Sequence, residues 1–271
     1  MPARIRTSGV STRRQVPIAL LVPAALGLLF LVLPLVGLLV RAPWADLPRQ
    51  LAEPGVLTAL RLSLVSATLA TLLCLLLGVP LAWLLARVEF PGRRLVRALV
   101  TVPLVLPPVV GGVALLLVFG RRGLLGGWLD ATFGVSLPFT TAGVVLAESF
   151  VAMPFLIIAV EGALRGADRR YEEAAATLGA SRWTTFTHVT LPLVAPGVTA
   201  GAVLCWARAL GEFGATITFA GNYPGTTQTM PLAVYLALET DLEAAIVLSL
   251  VLLAVSVTIL AVLRDHWTVG R

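Results

Sequence analysis

Six long apolar runs divide the chain, at roughly residues 17–40, 61–86, 97–119, 139–163, 193–219 and 243–263. Each can supply the ~20 mostly apolar residues that a helix needs to cross a bilayer. The pattern predicts an all-α fold, a polytopic membrane helical bundle of six transmembrane helices. The first run follows Arg4, Arg6, Arg13 and Arg14 and so resembles a secretion signal. Its uncharged stretch from Gln15 to Val40 is too long for a signal core of about 7–15 residues, and no clear small-x-small cleavage site follows. It reads as a retained first span.

The polar interruptions differ in character. The longest runs over 164–192, rich in arginine, glutamate and alanine. Residues 41–56 and 221–231 carry turn formers and aromatic residues instead. Trp44, Trp128 and Tyr223 stand where interfacial anchors belong. No repeat, low-complexity tract or soluble domain interrupts the pattern. The expected organisation is one membrane domain, 17–263, between short tails at 1–16 and 264–271.

Composition agrees. Hydrophobic residues make up 58% of the chain, charged residues only 13%, and mean hydropathy is +0.95. An ordinary soluble domain has about 25% charged residues. The pI near 10.6 suggests nucleic acid, but the basic residues are scattered among membrane segments. All 20 are arginine. A chain without lysine has no Walker A phosphate loop, so any ATP-driven function must use a separate ATPase. Cys74 and Cys205 lie in apolar runs and read as buried small hydrophobes. With His188 and His266 they make no zinc-type cluster, and no metal or cofactor is expected.

Arginine placement predicts orientation. Fourteen fall in the N-terminal tail, the second and fourth connections and the C-terminal tail; five fall on the other side, and Arg208 lies within a span. The positive-inside rule then puts both termini and the 164–192 loop in the cytoplasm. Six spans with both ends inside are self-consistent.

Within that loop the residues describe a bent pair of helices. Asp168 can cap a helix over 168–178, Glu172 and Glu173 sit near its positive end, and Ala174 to Ala176 favour helix without bulk. Leu178 precedes Gly179, which suits a C′ position with positive φ. Ser181 can cap a second helix through about His188, ended by Leu191-Pro192 where the fifth span begins. A flat alanine face suits docking into a groove on another protein.

The spacing Glu173-Ala174-Ala175, three residues, Gly179, nine residues, Val189-Thr190-Leu191-Pro192 resembles the cytoplasmic coupling loop of type I ABC importer permeases. Glu-Ala-Ala alone would be weak; the spacing at this place in a six-span chain is specific. The stretch from Ala207-Arg208-Ala209-Leu210-Gly211-Glu212-Phe213-Gly214 to Asn222, with Thr229 to Tyr235, looks most like molybdate transport permeases. Sulfate/thiosulfate permeases carry a related segment. The resemblance covers roughly 55–265. It implies a permease homodimer in the inner membrane, two copies of a separate ATPase, and an extracytoplasmic binding protein that delivers an oxyanion. It also implies alternating access, with the 168–190 elbow transmitting ATPase closure. Asn222, Tyr223 and Thr226 then become candidates for contact with the binding protein.

Ionisable residues within spans are functional candidates by default. Arg208 and Glu212, four apart, can pair on one helix face in the outer half of the fifth span. They either help form the outer gate or lock helix packing; direct oxyanion binding by Arg208 is disfavoured because Glu212 neutralises it. Glu148 lies deep in the fourth span and faces the bundle or dimer interior. Glu161 lies near the cytoplasmic end and can reach water. Gly197 and Gly201 form a close-packing face, more simply within the chain than across a dimer. A rival reading, an ion-coupled secondary transporter using Glu148, Arg208 and Glu212, leaves the 173–192 spacing unexplained. So does a purely structural scaffold. No catalytic constellation is present.

Overall fold

The computed structural model describes residues 18–264, so the expected tails at 1–16 and 264–271 lie outside the described residues apart from Arg264. All regular elements among these residues are helical. The chain falls into two units, divided after Ala42. The first holds α1 (Ile18–Val40), apolar on every side, as a helix surrounded by lipid is.

The second unit begins at Pro43 with a short helix, α2 (Leu47–Leu51), and a long one, α3 (Pro54–Arg87). At 1.5 Å per residue α3 is about 51 Å long, more than the ~30 Å hydrocarbon core. Its ends therefore reach into or past both interfaces. The third apolar run departs from a straight span. It forms α4 (Arg93–Val105) and α5 (Pro108–Phe119), whose axes meet at 118°. Pro107 and Pro108 cause the break, since each disfavours helical geometry in the residue before it; Leu106 and Pro107 are extended. Among the described residues there are thus five membrane-length helices, or six if the bent pair is one span.

After α6 (Gly126–Phe133), α7 (Thr141–Gly166) forms the centre of the unit. Thr140 caps it by accepting from Gly143 N at 3.1 Å. α7 packs against α3 on one side and, on another, α10 (Leu191–Leu210). The loop helices α8 (Arg170–Thr177) and α9 (Arg182–Thr185) come between α7 and α10 in sequence. The expected fifth span breaks at Gly211–Phe213, and α11 (Gly214–Phe219) is separate. α12 (Met230–Thr240) and α13 (Leu242–Arg264) complete the described residues.

Small side chains let these helices approach closely, as association in lipid requires. Ala67, Ala70, Cys74, Ala82, Ala152, Cys205 and Ala209 are buried in one core with Leu85, Leu156 and Leu164. A Cβ on Gly197 would strike the Ala163 methyl, and one on Gly201 would come within 2.9 Å of the Ala159 methyl. The Gly197–Gly201 face therefore packs inside the chain, against α7. Cys74 and Cys205 are free, buried thiols on α3 and α10, and Cys74 Sγ donates to Ser149 O of α7 at 3.5 Å.

Candidate functional site

The loop folds into an elbow by local chemistry. Asp168 Oδ1 accepts from Arg170 N at 3.0 Å, so it steadies the entry although the helix itself starts at Arg170. At the other end Gly179 N donates to Ala176 O and Ala180 N to Ala175 O, both at 3.0 Å. These are the two bonds of a Schellman ending, which requires the left-handed residue that Gly179 provides at φ +83°. Ser181 Oγ then accepts from Thr184 N at 3.1 Å and starts α9.

The second arm does not stop at Leu191-Pro192. α9 passes through a π-helical turn, Phe186–Thr190, directly into α10. Pro192 has no N–H to donate within a helix, and the wider i→i+5 turn just before it is a common accommodation. Leu191 is half-buried and Pro192 exposed. The second arm of the elbow and α10 are one continuous helix, Arg182–Leu210.

The two faces of α8 differ. Glu173, Ala174 and Thr177 are exposed, Ala175 is half-buried, and Leu178 is 88% exposed. Tyr171 and Trp183 add exposed aromatic surface beside them. Glu172 turns the other way. Its Oε1 accepts from Arg87 Nη2 at 2.8 Å and Nε at 3.1 Å. Of the expected docking residues, Glu172 thus faces the bundle, while Glu173, Ala174 and Leu178 face outward.

Within the membrane helices, Arg208 Nη2 lies 2.6 Å from Glu212 Oε2. The pairing expected from their spacing is present, but on different terms. α10 ends at Leu210, and Glu212 lies in the break that follows. Its other oxygen accepts from Ala215 N at 2.8 Å, holding the start of α11. Glu148, 1% exposed, accepts from Ser66 Oγ of α3 at 2.8 Å and lies within electrostatic reach of Glu212. Ser63, one turn earlier, accepts from Met230 N at 2.7 Å. Two buried carboxylates and one arginine therefore gather where α3, α7 and the end of α10 meet. Glu161 is largely buried and paired: it is 7% exposed and accepts from Arg97 at 2.7 Å and Arg165 at 2.6 Å. Among the described residues, no three His, Cys, Asp or Glu side chains converge as a metal site.

The 221–229 loop is held by Thr141 Oγ1, which donates to Thr226 O at 2.9 Å, and by Tyr223 N, which donates to Thr227 Oγ1 at 2.9 Å. Tyr223 and Thr226 are exposed and Asn222 half-buried. Phe139 meets Tyr223 edge-on at 6.1 Å and sits at φ +62°, a conformation unusual for a bulky residue. No local motif marks Phe139 as left-handed.

The family model for the inner membrane component of binding-protein-dependent transport systems matches residues 78–268. The chain belongs to that family, whose members are membrane subunits of transporters. It is 51% identical over 234 residues to the molybdenum transport system permease protein ModB of Mycobacterium tuberculosis, covering 86% of this chain and 88% of that one. Identity to ModB of Escherichia coli K12 is 44% over 209 residues, 77% of this chain and 91% of the relative. The sulfate transport system permease protein CysT of the same bacterium is 38% identical over 258 residues, 93% of each. Among solved structures, a bacterial ABC transporter involved in alginate import superposes with a TM-score of 0.76 at 19% identity, covering 94% of this chain and 96% of that chain. That likeness shows the fold.

Proposed function

We propose that this chain is the permease subunit of an ATP-driven importer that carries molybdate across the cytoplasmic membrane. The observation that carries the substrate is the comparison within the family. Two molybdenum permeases share 51% and 44% identity with it, and the sulfate permease 38% over a longer span. The elbow supports ATP coupling: a short helix with an outward Glu173-Ala174-Leu178 face is closed by Gly179, and the second arm that follows it continues into a membrane helix.

In this reading residues 17–263 form one permease domain, and two copies pair around the path. The loop 164–192 and both tails are cytoplasmic, where arginine is concentrated. Two ATPase subunits dock on the elbows, through Glu173, Ala174, Ala175, Leu178 and Gly179. Leu191 and Pro192 carry the second arm into the membrane. An extracytoplasmic binding protein meets the opposite face at Asn222, Tyr223 and Thr226. Arg208, Glu212 and Glu148 lie beside the outer part of the path, where a change in helix arrangement would rebuild their contacts.

The test is ATP hydrolysis by the purified permease with its ATPase and binding protein, against molybdate, tungstate and sulfate. Stimulation by binding protein loaded with molybdate supports the proposal. Stimulation by sulfate alone would move the chain to the sulfate branch.

A further inference from the structure

α8 is joined to the membrane helices at a narrow place. Its backbone packs against α9 and the π-helical turn. Among the described residues, the long-range side-chain hydrogen bonds of 168–178 run to the end of α3. Arg87 grips Glu172 through Nε and Nη2, and Arg169 Nη2 donates to Ala86 O at 3.4 Å. Trp83, one turn before Arg87 on the same face of α3, meets Phe186 of the π-helical turn edge-on at 6.0 Å. A hollow of about 440 Å³ lies between these contacts, lined by Trp83, Arg87, Glu172, Ala176, Ala180 and Phe186 among others. The elbow thus rests on α3 at separate points around a hollow, without a packed seam.

The forked pair is sheltered, with the Arg87 side chain 6% and Glu172 20% exposed. Shelter and two donors to one carboxylate oxygen make it a firmer link than an exposed ion pair. The end of α3 is itself held. Leu85 O accepts from Arg93 Nε at 2.8 Å and Arg97 Nη2 at 3.3 Å, and Arg97 also binds Glu161 of α7. What moves the end of α3 therefore pulls on α4 and α7.

We propose that Arg87 is a positioning residue of the transport cycle: its bond to Glu172 makes the cytoplasmic end of α3 follow α8. A push on the elbow then moves α3 through the ion pair and α10 through the continuous helix of the second arm. The inference rests on the reading of 164–192 as the ATPase-docking loop. Without the pair, α8 still docks, but it turns over the hollow and leaves α3 behind. Hydrolysis then continues with little transport.

The experiment measures molybdate imported per ATP hydrolysed in liposomes holding the permease, its ATPase and its binding protein, with ATPase co-purification as a second readout. Arg87→Gln should keep the ATPase bound while import per ATP falls about tenfold, the scale expected for losing a charge-assisted bond. Glu172→Gln should show the same fall in the ratio. The exchange of Arg87→Glu with Glu172→Arg should recover most of it. An unchanged ratio in both single variants, or an exchange no better than either, overturns the proposal. So does loss of the ATPase from Arg87→Gln, which would make Arg87 part of the docking surface. A wild-type chain that binds no ATPase overturns the coupling reading itself, and this inference with it.

Discussion

Arg208 and Glu212 meet at 2.6 Å although the helix that carries Arg208 has ended before Glu212 begins its turn. Glu212 is 1% exposed and uses one oxygen for Arg208 and the other for the start of α11. Removing one partner of such a pair leaves an uncompensated buried charge, at a cost of about 3–5 kcal/mol. Arg208→Ala and Glu212→Ala should each impair assembly or uptake, and the double substitution should recover part of the loss. Recovery will be incomplete, because Ala215 N also loses its acceptor. Additive losses in a double-mutant cycle would show that the two side chains do not act as a pair.

The elbow gives a test that separates backbone from bulk. A Cβ on Gly179 meets no atom of this chain within 4 Å, so within the chain the effect of substitution there comes from φ +83°. A β-carbon in that region costs roughly 1–2 kcal/mol, and a β-branched one more. Gly179→Val should lose ATPase association and transport, whereas Gly179→Asn should keep most of both, since asparagine tolerates the conformation. Co-purification and uptake at equal expression check this. Wild-type behaviour of Gly179→Val would remove the Schellman ending from the coupling account.

How much of this was legible in the sequence depends on the range of the interaction. The elbow's capping is local, so Ser181, Gly179 and the alanine run announced it; only the start of α8 and the stop at Pro192 differ. Hydropathy located the apolar runs but carries no direction, so the 118° bend at Pro107–Pro108 was not foreseen. α12 was missed because its 11 residues are too few for a span and follow a turn-rich loop. Arg87 was counted only as a marker of orientation. Its partner Glu172 lies 85 residues away, and no periodicity reports a contact at that distance. Glu161 was read only as able to reach water for the same reason: Arg97 reaches it from another helix.

Orientation is tested by labelling. Arg170 and Thr226 are exposed, and the native Cys74 and Cys205 are fully buried, so they should stay silent. In intact spheroplasts, Thr226→Cys should react with an impermeant thiol reagent and Arg170→Cys only after lysis. The reverse pattern would put the elbow on the wrong side for any ATPase.

Close packing of α7 and α10 predicts a stability effect. Gly201 faces Ala159 and Leu156, with no space for a side chain. Overpacking costs typically 1–3 kcal/mol. Gly201→Leu should lower the melting temperature of the detergent-purified chain, while Gly162→Leu, where a Cβ meets nothing within 4 Å, should not. Equal effects would deny the tight approach.

The central claim is ATP-driven molybdate import, and uptake tests it most directly. Proteoliposomes holding the permease with its ATPase and binding protein should accumulate radiolabelled molybdate only when ATP is present on the elbow side. Accumulation should stop when the ATPase is omitted. Uptake that proceeds without ATP, or that follows an imposed ion gradient instead, would contradict the account.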